Sequence, residues 1–307
     1  MWIIIQKMLL LLCVSALGYW ICKAKLITLE HNRGYSILIS NVTVPCMVIF
    51  SIFSQPPIQN YGEIFSIFGV GFLFFGFFTL CSLFLPILFR AKNEEIGIYR
   101  FMTVFNNNSF MGFPIIQSVF GNKYLFYAAI LNIVNALYLY TYGMHCITKD
   151  VEDYHFDWKK LCNPGMVVSV ISLALYLLHF SLPEFFLEIS RQVGNITTPL
   201  SMLVIGVNLS MIPFREVFSE TKLYLFSFFR LLVFPLILWF LLKGFMANTD
   251  FLIVVLVTAA MPGAAMMVNL ATEYKGNVYF ASKYLVLSTL LSVIIVPVVI
   301  YVLQNYV

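Results

Sequence analysis

The stretch FNNNSFMGFP, residues 105–114, places three asparagines, a serine, a glycine and a proline inside an otherwise strongly apolar segment. Pro114 removes a backbone donor and its ring crowds the preceding turn, so a helix here should kink or break. Gly112 adds backbone freedom, and asparagine and serine side chains compete for backbone hydrogen bonds. The stretch therefore predicts an apolar helix that unwinds near its middle and caps its own broken ends.

The composition of the whole chain places this helix in a membrane. Of the 307 residues, 61% are hydrophobic and only 10% are charged, and the mean hydropathy is +0.91. Average proteins contain roughly 45–50% apolar and about 25% charged residues. The apolar segments are continuous runs and not alternating strands, which favours helices over a β-barrel. We therefore expect an all-α polytopic membrane protein.

Ten apolar segments follow one another along the chain, each close to the ~20 residues that a helical span needs. Ten transmembrane helices are therefore predicted. Their limits are residues 2–22, 35–53, 63–89, 96–119, 124–147, 163–180, 196–212, 222–246, 250–270 and 277–304.

Lysine and arginine set the expected orientation of these spans. The loops after spans 1, 3, 5, 7 and 9, with their flanks, hold twelve basic residues, whereas the opposite side holds four. Because cytoplasmic loops carry the excess of Lys and Arg, both termini should face outward. We expect an integral protein of the plasma (inner) membrane.

Two short motifs and two prolines indicate an internal repeat. The pattern N-x-T-x-P occurs in residues 41–45 and, about half a chain later, in residues 195–199. Pro114 and Pro262 lie inside the fourth and ninth segments. Each half of the chain would hold five of the ten predicted spans. Because five is an odd number, the second half would enter the membrane inverted relative to the first. The predicted repeats are residues 1–150 and 151–307.

The ninth segment carries a second break signal, TAAMPGAAMMVNL, residues 258–270, in which Pro262-Gly263 is the breaker. Irregular backbone at membrane depth persists only inside protein or along a water-filled cavity. Two broken helices from inverted halves would cross at the midplane and present positively polarised half-helix N-termini, which suit a carboxylate. The local pattern assigns four residues to this substrate site: Asn108, Ser109, Met261 and Gly263.

Simpler interpretations remain open for isolated polar residues. A single Asn, Ser or Gly in a span often serves helix packing, and this interpretation is favoured for Asn269 and for TPLSMLVIGVNLS, residues 198–210. Arg230 and Lys283 would either extend to the basic side of the membrane or attract an anionic substrate. The accessory candidates for the site are Asn41, Thr43, Asn269, Arg230 and Lys283.

The sequence offers no enzymatic motif. It lacks a Walker loop, GxSxG, HExxH and paired intramembrane carboxylates, so neither a cofactor nor a metal is expected. Without a nucleotide site, any transport would be secondary or passive. Glu63 and Glu273 lie only at span edges, which argues against proton coupling through a buried acid.

The chain resembles the auxin efflux carrier family, whose fourth-span motif runs approximately N-[TC]-G-F-x-G-x-P. Here the motif reads NNSFMGFP, residues 107–114, with Ser109 in place of a usual glycine. The stretch MPGAAMMVNLATEYKGNVYFASKYLVLSTLLSVIIVP, residues 261–297, is similar to the family's ninth and tenth spans. Residues 198–210 are similar to its seventh span.

The resemblance implies a fold similar to that of the bile acid symporters. Spans 1, 2, 6 and 7 would form a scaffold that makes a homodimer, and spans 3–5 and 8–10 would form a mobile transport core. Transport would be elevator-like, with the core carrying substrate past the scaffold. The family's site residues correspond here to Asn107, Gly112, Pro114 and Pro262.

Residues and resemblance together predict a secondary carrier for a small organic anion, a mono- or dicarboxylate. The expected partners are this anion, membrane lipid and a second copy of the chain, and not nucleic acid. Two alternatives stay open, a channel for small solutes or ions and a membrane receptor or sensor of the same fold.

Overall fold

The computed structural model describes residues 2–56, 61–149, 163–210, 220–246 and 248–306. These ranges are dominated by helices and contain no β-strand, which confirms the predicted helical class. The predicted junction of the two repeats, residues 150 and 151, lies outside the described residues.

The helices of the first half of the chain occupy the first five predicted segments, and the second, fourth and fifth are each divided in two. They are α1 Trp2–Lys23, α2 Leu29–Leu38, α3 Val44–Phe53, α4 Tyr61–Leu88, α5 Asn93–Val104, α6 Phe113–Phe120, α7 Asn122–Tyr138 and α8 Met144–Thr148.

The helices of the second half also occupy the predicted apolar segments, except for α10. Helix α10 is amphipathic and precedes the seventh segment. The helices are α9 Pro164–Leu177, α10 Glu184–Asn195, α11 Thr197–Leu209, α12 Thr221–Phe228, α13 Phe234–Leu242, α14 Thr249–Ala259, α15 Met266–Glu273 and α16 Val278–Tyr306.

Five helical stretches in the described part of the chain are long and apolar enough to cross a membrane. Shorter apolar helices lie in the first, sixth and ninth predicted segments. The count of ten spans in two inverted repeats therefore stays a prediction. The five long stretches are Glu30–Phe53, Tyr61–Leu88, Asn122–Thr148, Thr221–Leu242 and Val278–Leu303.

Three of the four π-helical turns in the described residues lie next to a proline. Ile39–Thr43, Asn108–Gly112 and Phe229–Val233 each precede a helix with proline among its first two residues, whereas Leu139–Gly143 does not. Proline cannot donate to the carbonyl four residues earlier, and a widened turn accommodates this loss. In the fourth segment the helical path ends before this turn, at Val104, so the break lies at the start of the predicted stretch 105–114 and not at its proline.

The chain forms two compact units, each of which draws on both halves of the sequence. Unit 1 comprises Met1–Gly69, Asn108–Ile133 and Lys159–Met211. Unit 2 comprises Val70–Asn107, Val134–Trp158 and Ile212–Val307.

Unit 1 is held by backbone contact between α1 and α11. A Cβ atom on Gly206 would lie 1.8 Å from the carbonyl oxygen of Ser15, and one on Gly18 would lie 2.3 Å from that of Leu203. In the same unit, a Cβ on Gly194 would lie 2.8 Å from the Cα of Met47. Glycine is required at these positions because small residues let helix backbones approach closely.

Unit 2 contains a buried aromatic cluster that fixes the ends of its helices. The ring centroid of Phe226 lies 5.1 Å from that of Tyr99 and 5.3 Å from that of Tyr284. Phe89 and Phe280 extend the cluster. Edge-to-face pairs of this kind contribute about 0.5–1.5 kcal/mol each beyond their buried area.

Candidate functional site

The fourth apolar segment is interrupted at Phe105–Asn107. Helix α5 ends at Val104, and Phe105 has extended backbone angles of φ −104° and ψ 128°. The π-helical turn Asn108–Gly112 follows directly and leads into α6. The helix therefore unwinds over three residues, as the asparagine-rich stretch predicted, although several residues before its proline.

The ninth apolar segment is interrupted between Ala259 and Met266, where α14 ends and α15 begins. Pro262 and Gly263 lie at the centre of this gap, as predicted. Met261 is fully buried, and Pro262 and Gly263 are buried as well.

The two breaks meet within unit 2 and hydrogen-bond to each other. The N–H of Asn107 donates to the carbonyl of Pro262 at 2.8 Å, and the N–H of Ala264 donates to the carbonyl of Phe105 at 3.3 Å. Asn106 and Gly263 thereby form an isolated antiparallel bridge. This pairing satisfies backbone groups that helix breaks would otherwise leave without partners in an apolar environment.

Asn106 links the first break to the end of α14. Its side-chain amide donates to the carbonyl of Thr258 at 2.5 Å, and its side-chain oxygen accepts a hydrogen bond from Arg230. Asn106 is only 5% exposed. The side chain of Asn106, just after the end of α5, therefore contacts both the end of α14 and the guanidinium of Arg230.

Arg230 lies in the π-helical turn Phe229–Val233 and is 1% exposed. Its guanidinium donates to the carbonyl of Ala259 at 2.6 Å and lies 4.3 Å from the ring centroid of Phe78. The carbonyl end of a helix carries a partial negative charge, which a cation stabilises. The interpretation that Arg230 extends to the membrane surface is therefore wrong, because the side chain caps the first half of the ninth helix.

Gly263 is fixed by a tyrosine and a serine from α16. A Cβ atom at position 263 would lie 2.4 Å from Cε1 of Tyr284, so only glycine fits beside this ring. The N–H of Gly263 donates to the hydroxyl of Ser288 at 3.2 Å. Both Tyr284 and Ser288 are completely buried.

The predicted substrate residues fall into two groups. Asn107, Met261, Pro262 and Gly263 come together at the paired breaks in unit 2. The remaining four lie in unit 1, in the residues that follow the first break. Asn108, Gly112 and Pro114 are buried, and Ser109 is partly exposed.

The accessory candidates are dispersed. Asn41 and Asn269 are exposed, and Thr43 is buried in the turn Ile39–Thr43. Lys283 is 4% exposed, forms an ion pair with Glu220 at 3.5 Å and lies over the ring of Tyr279. Of the accessory candidates, the described contacts bring Arg230 to the paired breaks.

Sequence reasoning missed Asn106, Tyr284 and Ser288. Asn106 belongs to the quoted asparagine triplet, so its residue type was a usable signal, but nothing local distinguished it from its two neighbours. Tyr284 and Ser288 lie one helical turn apart on α16. Their role follows only from long-range packing against Gly263.

Two comparisons with known proteins match nearly the whole length of the chain. A family model described as "Membrane transport protein" matches residues 3–300. The chain is 22% identical to an uncharacterized transporter of Methanocaldococcus jannaschii, with 97% of this chain and 98% of that protein covered.

Proposed function

Because the chain belongs to the membrane transport protein family, which includes the auxin efflux carriers, we propose that it is a secondary carrier for a small organic anion. The single observation that supports an anion is Arg230. Its guanidinium is buried, and among the described residues no carboxylate lies within ion-pairing distance of it.

A buried cation without a counter-ion is costly. Transfer of a charge into a low-dielectric interior has an effective penalty of several kcal/mol, which only a well-placed partner offsets. The carbonyl of Ala259 and the side chain of Asn106 supply dipoles and no net charge. An anionic substrate at the paired breaks would complete the compensation.

The chemistry favours a carboxylate. A guanidinium has five N–H donors in a planar fork that matches two carboxylate oxygens. Arg230 uses its two terminal nitrogens in the bonds described above, and its Nε atom has no hydrogen-bond partner in the described part of the chain. Asn107 lies beside Asn106 and is 5% exposed, so its side-chain amide is our candidate for a second substrate contact.

Alternating access would proceed by an elevator-like motion in this proposal. The two compact units, each assembled from both halves of the chain, are the kind of bodies that such a motion needs. The matching positions of the two breaks, in the fourth and ninth segments, support ten spans in two inverted repeats. The division into a scaffold of spans 1, 2, 6 and 7 and a core of spans 3–5 and 8–10 stays a prediction.

The remaining expectations concern the surroundings of the protein. A homodimer through the scaffold, a plasma (inner) membrane location with both termini outside, and substrate contacts by Asn108, Ser109, Gly112 and Pro114 stay predictions.

Counterflow in proteoliposomes tests the proposed function. Purified protein, reconstituted with one unlabelled small carboxylate inside, should accumulate the labelled carboxylate transiently and with saturation. The substitution Arg230→Gln removes the charge and should abolish this accumulation. Lys243→Gln is the matched control, because Lys243 is exposed in the same unit and should leave counterflow intact.

Three results would contradict the proposal. Flux that increases linearly with concentration, without counterflow, would indicate a channel. Counterflow of neutral or cationic solutes alone would leave a carrier but exclude an anion. Unchanged carboxylate counterflow in a folded Arg230→Gln variant would remove Arg230 from the site.

A further inference from the structure

Helix α11 in unit 1 carries a buried polar face. Thr197 and Ser201 are one helical turn apart and both are 0% exposed. Gly206, which contacts the backbone of α1, lies two and a half turns after Thr197 at 3.6 residues per turn. Thr197 and Ser201 therefore face away from α1, on the opposite side of α11.

The hydroxyl groups of this face, and that of the adjacent Thr198, are not used by the helix itself. The side-chain oxygens of Thr197, Thr198 and Ser201 are buried and have no hydrogen-bond partner in the described part of the chain. Serine and threonine within helices ordinarily donate to the carbonyl one turn earlier. Ser169 and Ser190, in the same unit, do so at 2.7 Å and 2.9 Å.

A second segment of unit 1 brings a further oxygen to this helix. The π-helical turn Asn108–Gly112 packs directly against α11. Asn108 is 6% exposed, and its side-chain oxygen is also buried without a hydrogen-bond partner among the described residues. Four unpartnered oxygens thus belong to two segments that touch.

The cost of leaving these oxygens unsatisfied favours a ligand that binds them. Buried polar atoms are almost always hydrogen-bonded, and each that is left unsatisfied costs about 1–3 kcal/mol. These groups are hydroxyl and amide oxygens, which are ligands for hard cations.

We propose that Asn108, Thr197, Thr198 and Ser201 contribute to a sodium-ion site in unit 1. The ligands are neutral, so a monovalent ion is favoured over Mg²⁺ or Ca²⁺, which are bound mainly through carboxylates. The site goes beyond the proposed function, because the anion is assigned to Arg230 and the paired breaks in unit 2.

Thermal unfolding of the purified full-length protein in detergent tests the site without any substrate. The probe is NaCl, compared with KCl and choline chloride at equal ionic strength. A ligand that binds only the folded state raises the unfolding midpoint as its concentration increases. We expect the midpoint to rise with sodium and not with choline, and to rise less with potassium.

Two variants and one control locate the effect. Ser201→Ala and Thr197→Val should each weaken the apparent sodium affinity at least tenfold. Ser190→Ala removes a buried hydroxyl that already has a partner, so the sodium dependence should remain as in the wild type.

The wild-type protein alone can overturn the proposal, even if a variant fails to fold. A midpoint that responds equally to sodium, potassium and choline would exclude a specific site and leave buried water as the partner of these oxygens. An unchanged sodium response in both variants would place the ion elsewhere. Because no substrate is present, these results are independent of the anion counterflow experiment.

Discussion

Arg230 donates a 2.6 Å hydrogen bond to the carbonyl of Ala259, the last residue of α14. A positive charge thus lies at the negative pole of a half-helix that ends inside the protein. Asn106 holds the same guanidinium from the other broken helix. The cation therefore stabilises the break, and in the proposed function it also attracts the anion.

The substitution Asn106→Asp should separate these two roles. A carboxylate at position 106 would compensate the charge of Arg230 and compete with any anionic substrate. We expect the apparent affinity for carboxylates to fall at least tenfold, about 1.4 kcal/mol, while the protein still folds. The measurement is a thermal-shift titration with the carboxylate that stabilises the wild type. Asn41→Asp, at an exposed asparagine, serves as the control. Wild-type carboxylate affinity in Asn106→Asp would exclude a role for Arg230 in attracting the substrate.

Asn107→Ala and Asn208→Ala should have opposite consequences. The N–H of residue 107 keeps its bond to Pro262 in the alanine variant, so transport should be lost with little change in stability. Asn208 accepts a 2.8 Å bond from the side chain of Asn32, which is 4% exposed. Asn208→Ala should cost about 1–3 kcal/mol and spare transport per folded molecule. Liposome uptake normalised to the amount of folded protein distinguishes the two variants. Wild-type uptake by Asn107→Ala would show that Asn107 is not part of the substrate site.

The five long apolar helices of the described residues could be predicted from the sequence, because lipid requires continuous apolar runs that composition reveals directly. The residue at which the fourth helix ends could not. The helix ends at Val104, where neither proline nor glycine stands nearby, and the pairing of Asn106 with Gly263 determines the end. Local patterns predict where a helix is weak, whereas a partner far along the chain decides where it opens.

The residues of the paired breaks could be predicted only in part, for the same reason. Pro262 and Gly263 were identifiable because their backbone chemistry is local. Arg230 was ambiguous, since a basic residue eight positions inside a span is compatible with either a surface or a buried end. Only contacts with Ala259 and Phe78 decide between them.

Gly263→Ala should destabilise the paired breaks. The new methyl group would lie 2.4 Å from Cε1 of Tyr284, within a fully buried environment. Overpacking of this kind costs about 1–3 kcal/mol. Gly34→Ala is the matched control, because Gly34 lies within α2 with no atom within 4 Å of the added carbon. This control should stabilise the protein by about 0.5–1 kcal/mol.

Thermal or chemical unfolding of both glycine variants provides the measurement. The double variant Gly263→Ala, Tyr284→Leu should recover part of the loss, since the clash involves this ring. Equal effects of the two alanine substitutions would show that Tyr284 does not restrict position 263.

The carboxyl of Glu188 on α10, outside the apolar segments, provides a prediction for pH. Hydrogen bonds from Arg191 and then Gln192 lower the pKa of Glu188 to about 2. A lowered pKa stabilises the folded state above the unfolded pKa, and this contribution is lost as the pH falls toward 2. Because the pair is exposed, solvent screening keeps its effect on stability small.

Carbon-13 NMR of labelled glutamate measures this pKa directly. Arg191→Ala should raise the pKa of Glu188 toward its ordinary value of 4.5. Glu184, on the same helix and without this arginine in its described contacts, is the internal reference. An unchanged pKa of Glu188 in the variant would assign the shift to other groups.

The interlocked glycines of α1 and α11 have a consequence for how the protein is made. Ser15 and Met202, which touch across this contact, are 187 residues apart in the chain. At about 5–20 residues per second, the ribosome needs roughly 10–40 s to reach the second partner after making the first. During that time the surface of α1 around Gly18 is not yet covered by α11, so unit 1 is completed only late in synthesis. Its biogenesis therefore depends on keeping that surface free of wrong partners.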